Sequence, residues 1–232
     1  MSLDILDAGP MLSVQDHGRH GRKRFGVPPA GAMDRPAMDL ANALCGNARD
    51  CAALEFTAIG GRLRAGRDLR LAVTGGECDI KLGARSLAPG ESHAIAKGDV
   101  VRIGALRGAT WGYIAVSGGI AVPQMLGARA THLRFAIGGL EGRALRAGDT
   151  LPLGEETGTT PCLRPREPML RPVAPARPIR VMLGPQDDYF DADTIALLGR
   201  ESFVVTPKRD RMAMVLGGPR LPAARGHDIV SD

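Results

Sequence analysis

Residues 34–54 carry the clearest helical pattern of the chain. The apolar positions repeat at the i, i+3, i+4, i+7 spacing of one buried helix face: Ala37, Leu40, Ala41 and Leu44. Asp34 stands where an N-cap is expected, and Gly46 stands where the helix should end. Asn47 is placed to cap a second, shorter helix. The pattern therefore predicts one amphipathic helix followed by a short one.

From residue 54 to residue 153 the apolar positions come in short runs typical of strands. The clearest runs are residues 69–74, 100–103 and 111–116. A unit of an aliphatic residue, two variable residues, glycine and an acid recurs at 87–91, 95–99 and 145–149. Glycine there permits a tight turn, and the acid can accept turn amides. Turns at this spacing predict a β-barrel or a β-sandwich.

Two strands end in a hydroxyl residue followed by two glycines. The first glycine pair is Gly75 and Gly76, and the second is Gly118 and Gly119. Paired glycines expose backbone N–H groups and allow close approach, so each pair can form a nest for an oxyanion. Gly-Gly is also a plain hairpin turn, so the signal is weak by itself and the two interpretations stay open at this point.

Proline marks the organisation of the second half, because seven of the 17 prolines fall between residues 161 and 185. We predict a first subdomain over 1–160 with a helical insert near 35–53, a stiff connector over 161–178, and a partial second subdomain over 179–232. Within the last part, 179–183 and 202–206 are predicted strands, and 191–198 is a predicted short helix.

Composition narrows the function classes. Gly and Pro together make about a fifth of the chain, with 31 and 17 residues, which favours a turn-rich β protein. The net charge is +5, but only 3% of the residues are aromatic, so we expect bound anions rather than nucleic acid. No apolar run is long enough to span a membrane, and no signal peptide is recognised, so a cytoplasmic protein with free cysteines is expected. No C-x-x-C pair occurs, and no metal site is predicted.

The densest chemistry lies between residues 13 and 34. Gln15, Asp16 and Arg19 place an amide, a carboxylate and a guanidinium within five residues, in a glycine-rich segment that precedes the capped helix. Such a segment is a natural anion site. A salt-bridged surface loop, in which Asp16 and Arg19 pair with each other, is the alternative.

The order of motifs along the chain resembles the biotin-dependent carboxyltransferase family, in its subunit-2 branch. That branch includes KipA-type proteins, the second part of the urea carboxylase carboxyltransferase domain, and the C subunit of bacterial 5-oxoprolinase. The matching stretches are V-Q-D-x-G-R-x-G at 14–21, G-V-P-x-x-G-A-M-D at 26–34, A-N-x-L-x-G-N at 41–47, A-L-E at 53–55, L-G-P-Q at 183–186 and D-R-M at 210–212.

The resemblance implies a mainly β fold, with cyclophilin-like β-barrel subdomains and a few short helices. It implies a KipI-like subunit-1 partner, together with the A subunit of 5-oxoprolinase or a biotin carboxylase component, and a small-molecule amide substrate. No biotin-attachment A-M-K-M sequence and no G-x-x-x-x-G-K-[ST] loop occur here. ATP and/or carboxybiotin would therefore be supplied or shared through partner subunits.

The residues and the resemblance together give a set of candidate site residues. The expected catalytic residues are Asp16, Arg19, Asp210 and Arg211. The expected substrate-binding residues are Gln15, Asp34, Glu55, Gly75, Gly76, Gly118, Gly119 and Gln186. The basic neighbours of Asp210 are expected to hold its carboxylate ionised by lowering its pKa. An edge-strand salt bridge is the alternative for Asp210 and Arg211.

The resulting expectation is the C subunit of an ATP-hydrolysing 5-oxoprolinase, which works with partner subunits to open 5-oxoproline to glutamate. A carboxyltransferase subunit of a urea or amide carboxylase and a non-catalytic protein that binds a KipI-like kinase inhibitor are the alternatives. Family members carry S-D-R-M-G where residues 209–213 read R-D-R-M-A, and they continue past residue 232. The chain is therefore expected to be a truncated member that is not active alone.

Overall fold

The computed structural model describes residues 1–156, 161–165, 178 and 180–226. The chain divides into two compact units, Met1–Val173 and Ala174–Asp232. Most of the predicted proline-rich connector lies outside the described residues, so the division at residues 160 and 178 stays a prediction.

The first unit contains a six-stranded antiparallel sheet. With strands numbered along the chain, its spatial order is β11 (Thr150–Pro152), β1 (Ser2–Ala8), β4 (Ile59–Ala65), β9 (Val100–Arg107), β6 (Glu77–Leu82) and β7 (Arg85–Leu87). Buried and exposed residues alternate along β4 and β9. This period of two is that of a sheet with one face on the core and the other in water.

A second antiparallel sheet has five strands. Its order is β2 (Ser13–Gln15), β3 (Ala53–Phe56), β10 (Gly112–Val116), β5 (Leu69–Thr74) and β8 (Ser92–Ile95). Every residue of β2, β3 and β10 is buried. Both faces of this sheet are therefore covered.

The two sheets share one apolar core. Leu63 of β4 and Ile103 of β9 belong to the same buried cluster as Leu54 and Ile114 of the second sheet. Burial of this apolar surface is the main stabilising contribution to the unit.

Helix α1 (Arg35–Leu44) covers the other face of the five-stranded sheet. Its Met38 and Ala41 form a second buried cluster with Tyr113 and Ala115 of β10. The side chain of Asp34 accepts a hydrogen bond from the Ala37 amide at 3.1 Å, which confirms the predicted N-cap.

The predicted second helix after Asn47 is wrong, because no helix occurs between residues 45 and 52, all of which the structure describes. The Asn47 side chain is used across the fold instead. Its Nδ2 donates to the Val116 carbonyl at 2.9 Å, and its Oδ1 accepts from the Gly118 amide at 2.9 Å. Asn47 therefore stabilises the end of β10 rather than a helix start.

The second unit is small. Its elements are a 3-10 helix (Asp187–Tyr189), α2 (Ala192–Arg200) and a two-stranded sheet of β12 (Val204–Arg209) and β13 (Met214–Gly217). The Asp191 side chain caps α2 by accepting from the Thr194 amide at 2.7 Å. The predicted strand over 179–183 is not formed at 180–183, where the chain has no pairing partner among the described residues.

The mainly β fold with few short helices is confirmed. In the described residues the strands form separate sheets, and no closed barrel is found. Over the same ranges, no helix is long and apolar enough to cross a membrane.

Candidate functional site at the 16–34 loop

The loop between residues 16 and 34 is closed at its base by two backbone hydrogen bonds. The Ala32 amide donates to the Asp16 carbonyl at 2.9 Å, and the Arg19 amide donates to the Pro29 carbonyl at 2.7 Å. The loop walls approach so closely that a Cβ on Gly18, at φ 85°, would lie 2.6 Å from the Pro29 carbonyl oxygen. The glycine in the sequence motif is therefore required by the backbone of this loop.

Asp16 is buried and binds backbone amides on both sides of the loop base. Its Oδ1 accepts from the Gly18 amide at 2.8 Å, and its Oδ2 accepts from the Arg129 amide at 2.5 Å. Its exposed fraction is 7%. The carboxylate thus fixes its own loop to the segment that follows β10.

Arg19 is the largest fully buried side chain among the described residues, with an exposed fraction of 2%. Its Nη2 donates to the Ala130 carbonyl at 2.5 Å, and its Nε donates to the Met125 carbonyl at 3.3 Å. Nη1 has no hydrogen-bond partner in the part of the chain that the structure describes. Burial lowers the pKa of Arg19, and the nearby charge of Asp16 opposes that shift.

The two loop residues do not form the direct ion pair considered as an alternative. Within the described chain, Asp16 and Arg19 each bind backbone groups of residues 125–130 instead. Buried polar groups are usually hydrogen-bonded, so Arg19 Nη1 is a donor that could serve a further oxygen.

The segment from residue 124 to residue 143, here named the Arg19 lobe, has a strained backbone. Leu126, Ala136 and Glu141 adopt positive φ values of 56°, 52° and 56°, although none is glycine. Such conformations are costly for L-residues and are concentrated at ligand sites and switch regions. His132 lies in this lobe, and burial lowers its pKa.

A row of polar residues crosses the five-stranded sheet beneath α1. The register pairs Ser13 with Glu55, Glu55 with Tyr113, and Tyr113 with Thr74, across β2, β3, β10 and β5. All four residues are buried. Buried polar groups are costly unless they are hydrogen-bonded, so this row is a built feature rather than ordinary core.

Glu55 is the centre of that row. Its Oε2 accepts from the Tyr113 hydroxyl at 2.7 Å and from the Met33 amide at 2.9 Å. The same hydroxyl accepts from the Asp34 amide at 2.7 Å. Burial raises the pKa of Tyr113 well above its usual range, so the hydroxyl stays protonated and donates. The network joins the sheet to the residue that caps α1.

Gln15 lies one pleat away on the same strand face as Ser13. Its Nε2 donates to the Ser13 hydroxyl at 3.0 Å and to the Thr131 carbonyl at 3.1 Å. The structure therefore brings five of the expected site residues to the base of one loop: Gln15, Asp16, Arg19, Asp34 and Glu55.

The two glycine pairs are not brought together. Gly75 follows the end of β5 and Gly118 follows the end of β10, and these strands are antiparallel, so the pairs lie at opposite ends of them. A Cβ on Gly75 would lie 2.3 Å from the Trp111 carbonyl oxygen, and one on Gly118 would lie 2.3 Å from that of Gly154. The close approach that these glycines permit is to the protein's own backbone.

The amides of the second pair are already used. Gly118 donates to Asn47 Oδ1 at 2.9 Å, and Gly119 donates to the Val116 carbonyl at 2.9 Å. A Cβ on Gly76 would lie 2.6 Å from the Arg107 carbonyl oxygen. The turn interpretation of Gly75, Gly76, Gly118 and Gly119 therefore fits the geometry better than a shared oxyanion nest.

Asp210 and Arg211 lie in the second unit, between β12 and β13. Asp210 Oδ1 accepts from the Met212 amide at 2.6 Å and from the Ala213 amide at 3.0 Å. These bonds lower the pKa of Asp210, so the expected direction is right but its cause is the turn amides rather than the basic neighbours. Burial lowers the pKa of Arg211 to about 10. Their membership of the same site as Asp16 stays a prediction.

Gln186 borders a cavity of about 340 Å³ within the second unit. The cavity is lined mainly by apolar residues, among them Leu183, Phe190 and Ile195. Its lining is that of an apolar ligand or partner site rather than of an anion site.

Sequence reasoning misses two groups. It assigns Tyr113 to a strand without a role, although a lone tyrosine within an apolar run signals a hydroxyl that needs a partner. It also gives no role to His17, whose Nε2 lies 2.7 Å from Asp39 Oδ1, on the first turns of α1. The signal available in the sequence is that Asp39 stands four residues after the helix start at Arg35, where a carboxylate can accept a hydrogen bond from outside the helix.

The candidate residues do not form a nucleotide or metal site by themselves. In the described part of the chain no cluster of three or more His, Cys, Asp or Glu side chains is placed to hold a metal. The amides of Gly118 and Gly119 are occupied within the protein.

Comparison with known proteins gives a family and two kinds of relative. The family model for the carboxyltransferase domain, subdomains A and B, matches residues 25–232. The C subunit of 5-oxoprolinase from Escherichia coli is 31% identical over 229 residues, which are 99% of this chain and 73% of that protein. Urea amidolyase of Saccharomyces cerevisiae is 31% identical over 235 residues, covering 97% of this chain and 13% of that protein.

A solved structure agrees with these sequence relatives. The crystal structure of the Kluyveromyces lactis urea amidolyase superposes with a TM-score of 0.78 at 30% identity, covering 97% of this chain and 14% of that one. The likeness therefore extends over both units of the chain and accounts for a small part of the larger enzyme.

Proposed function

Because the chain belongs to the family of carboxyltransferase domains with subdomains A and B, we propose that it is the C subunit of an ATP-hydrolysing 5-oxoprolinase. In this role it would act with partner subunits to open the cyclic amide of 5-oxoproline to glutamate. The observation that carries the proposal is the match to the C subunit from Escherichia coli, in which 73% of the relative's length is shared. The corresponding share is 13% for the yeast urea amidolyase.

The substrate site is proposed at the base of the 16–34 loop, under the Arg19 lobe. Arg19 Nη1 is a buried donor without a partner among the described residues, and a carboxylate or carbonyl oxygen of an amide substrate would satisfy it. The strained backbone of the lobe at Leu126 and Ala136 supports a segment that opens to admit that group.

Within this site, Arg19 would bind the substrate and Asp16 would position it. Both Asp16 oxygens hold backbone amides of Gly18 and Arg129, so the carboxylate is placed to fix the loop geometry around the guanidinium. Gln15, Asp34 and Glu55 are proposed to support the same pocket from the sheet side. Asp210, Arg211 and Gln186, which lie in the second unit, stay candidate residues for the same reaction.

ATP and/or carboxybiotin are proposed to reach the reaction through partner subunits. The partners are a KipI-like subunit 1 and either the A subunit of 5-oxoprolinase or a biotin carboxylase component. The occupied amides of Gly118 and Gly119 support this division of labour, because they leave this chain no glycine nest for a phosphate there. ATP supplies the driving force for opening an unstrained amide, whereas this chain would bind and orient that amide.

Reconstitution tests the proposal. The chain is combined with a purified KipI-like protein and a purified 5-oxoprolinase A subunit, and ATP-dependent release of glutamate from 5-oxoproline is followed. Release that requires all three components supports the proposal. Carboxyl transfer from carboxybiotin in place of glutamate release would support the carboxylase alternative.

The regulatory alternative has its own observation. The D-R-M sequence at 210–212 is kept, while its neighbours Arg209 and Ala213 replace the serine and glycine of family members. A chain that co-purifies with a KipI-like protein but supports neither glutamate release nor carboxyl transfer would favour a binding protein and contradict the enzymatic proposal.

A further inference from the structure

The water-facing side of the six-stranded sheet carries a row of three cations. Arg102 of β9 is the register partner of Arg62 of β4 on one side and of Lys81 of β6 on the other. All three residues are exposed, whereas Leu63 and Val101 beside them are buried. Like charges placed directly opposite each other on adjacent strands destabilise a sheet. The row therefore lowers the stability of the sheet, and a binding role would explain why these three cations are adjacent.

Two carboxylates, Asp7 and Asp79, lie near this row, and each is bound by an arginine. Asp7 is bound by Arg62, and Asp79 accepts from both terminal nitrogens of Arg107 at 3.1 Å and 3.2 Å. Each carboxylate is therefore matched by its own arginine.

Neither of the two remaining cations forms an ion pair over the described residues, although the charges of both help to lower the pKa of Asp79. Lys81 donates to the uncharged Ser86 hydroxyl at 2.7 Å. For Arg102, no hydrogen bond or ion pair is found over the same part of the chain. The surface around Arg102 thus holds the three cations of the row and two carboxylates, Asp7 and Asp79, and its net charge is positive.

The same surface is hollow rather than flat. A cavity of about 920 Å³ lies over β1, β4, β9 and β6, and it is bordered by Arg62, Lys81 and Arg102. Gly61 and Gly104 are among the residues that line it, and a Cβ on Gly104 would lie 3.2 Å from the Asp79 carbonyl oxygen.

Two irregularities in strand pairing shape this hollow. The register of β1 on β4 shifts between Ile5 and Asp7, and that of β6 on β9 shifts between Cys78 and Ile80. β-Bulges bend a strand and re-aim its side chains, and they are frequent beside functional sites. The hollow and the cation row therefore coincide on one face.

We propose that this hollow binds the phosphate group of a small phosphorylated molecule, with Arg102 and Lys81 as its main ligands. A phosphomonoester carries a charge of about −1.5 to −2 at neutral pH, and Arg102 and Lys81, which form no ion pair within the described chain, are the cations free to turn toward it. The planar guanidinium of Arg102 suits bidentate binding of phosphate oxygens. Ile59 and Pro10 also border the cavity and offer apolar contact to the organic part.

This site is separate from the proposed substrate site, which lies at the base of the 16–34 loop. It does not depend on the 5-oxoprolinase proposal, because it concerns binding and not turnover. A protein that binds phosphate here and lacks glutamate release would sustain this inference while contradicting that function.

Calorimetric titration with inorganic phosphate at constant ionic strength tests the proposal on the full 232-residue chain. Arg102→Gln should weaken phosphate binding by about tenfold, because a charge-assisted hydrogen bond is lost. Arg85→Gln is the matched control, since Arg85 is exposed on β7 of the same sheet but does not border the hollow. Equal weakening by both variants, or no binding by the parent chain, would overturn the proposal.

Three further measurements keep the test independent of one variant. Gly104→Val places a branched side chain at the border of the hollow without changing charge, and it should weaken binding; unchanged binding would contradict the assignment of Gly104 to the lining. In phosphate-free buffer at low salt, Arg102→Gln should raise Tm because repulsion within the row is relieved. A succinate titration that equals phosphate in affinity would show a site for dicarboxylates and overturn the phosphate assignment.

Discussion

Tyr113 and Glu55 face each other across β10 and β3, and the tyrosine hydroxyl donates to Glu55 Oε2 at 2.7 Å. The same hydroxyl accepts from the amide of Asp34, which caps α1. One phenolic group thus connects the sheet, the buried carboxylate and the helix start.

Tyr113→Phe should therefore lower the free energy of unfolding by about 1–3 kcal/mol, because both partners stay buried and lose a bond. Urea unfolding followed by circular dichroism measures the change. Tyr189→Phe, in the second unit, is the control and should have little effect on the first unit. A Tyr113→Phe variant as stable as the parent would contradict the network described here.

Asp16 and Arg19 bind backbone groups on both sides of the loop base, so Asp16→Asn and Arg19→Lys should each lower stability, by about 1–3 kcal/mol. In the reconstituted enzyme, well below the unfolding temperature, each should also reduce activity per folded molecule at least tenfold, about 1.4 kcal/mol in the barrier. Arg22→Lys, at the exposed part of the same loop, is the matched control. Full activity per folded molecule would restrict both residues to a structural role.

The ion pair between Asp149 and Arg143 should make the stability of the fold depend on pH. Arg143 donates to both of its oxygens at 2.7 Å and 2.9 Å, and these bonds lower the pKa of the carboxyl below its ordinary value of 3.8. A lowered pKa in the folded state means that the contribution to stability is present above 3.8. It is lost as the pH falls through the lowered value.

Acid unfolding of Asp149→Asn measures this contribution. The variant should be less stable than the parent at pH 7, and the difference should shrink as the pH falls below 3.8. Asp50→Asn removes an exposed carboxylate and should leave the profile unchanged. A constant difference between Asp149→Asn and the parent at all pH values would contradict the ion-pair explanation.

The four cysteines are free, and their burial predicts the order in which they react. Burial raises the pKa of Cys45 to about 12 and that of Cys78 to about 11, and both thiols lie in the core. Cys162 is exposed. Iodoacetamide at pH 8 should therefore label Cys162 first and reach Cys45 and Cys78 only on unfolding. Mass spectrometry identifies the sites, and early labelling of Cys45 in the folded chain would contradict its burial at the C-cap of α1.

Local patterns predict the local structure well where the physical cause is itself local. The apolar spacing of residues 37–44 and the Asp34 cap predict α1, because both act within two turns of one helix. The prediction fails at Asn47, whose side chain has two uses open to it. The Asn47 amide could either cap a helix or bond a distant strand. Which of the two occurs depends on the Val116 carbonyl, which the fold places within reach.

The candidate site shows the same division. The glycine-rich stretch and its polar residues mark 13–34 as chemically dense, and the structure gathers Gln15, Asp16 and Arg19 there. Sequence could not show that Asp16 and Arg19 bind residues 125–130 rather than each other, because those partners lie more than a hundred positions away.

By itself the sequence determined the mainly β class, helix α1 and the family motifs, since periodicity, capping and turn chemistry depend on neighbours in the chain. Only the tertiary structure decided that the two glycine pairs lie apart, that the Tyr113 hydroxyl donates to Glu55, and that Arg62, Arg102 and Lys81 lie side by side. The register of non-consecutive strands sets those contacts, and it follows from how both sheets cover one core. No local pattern contains that information.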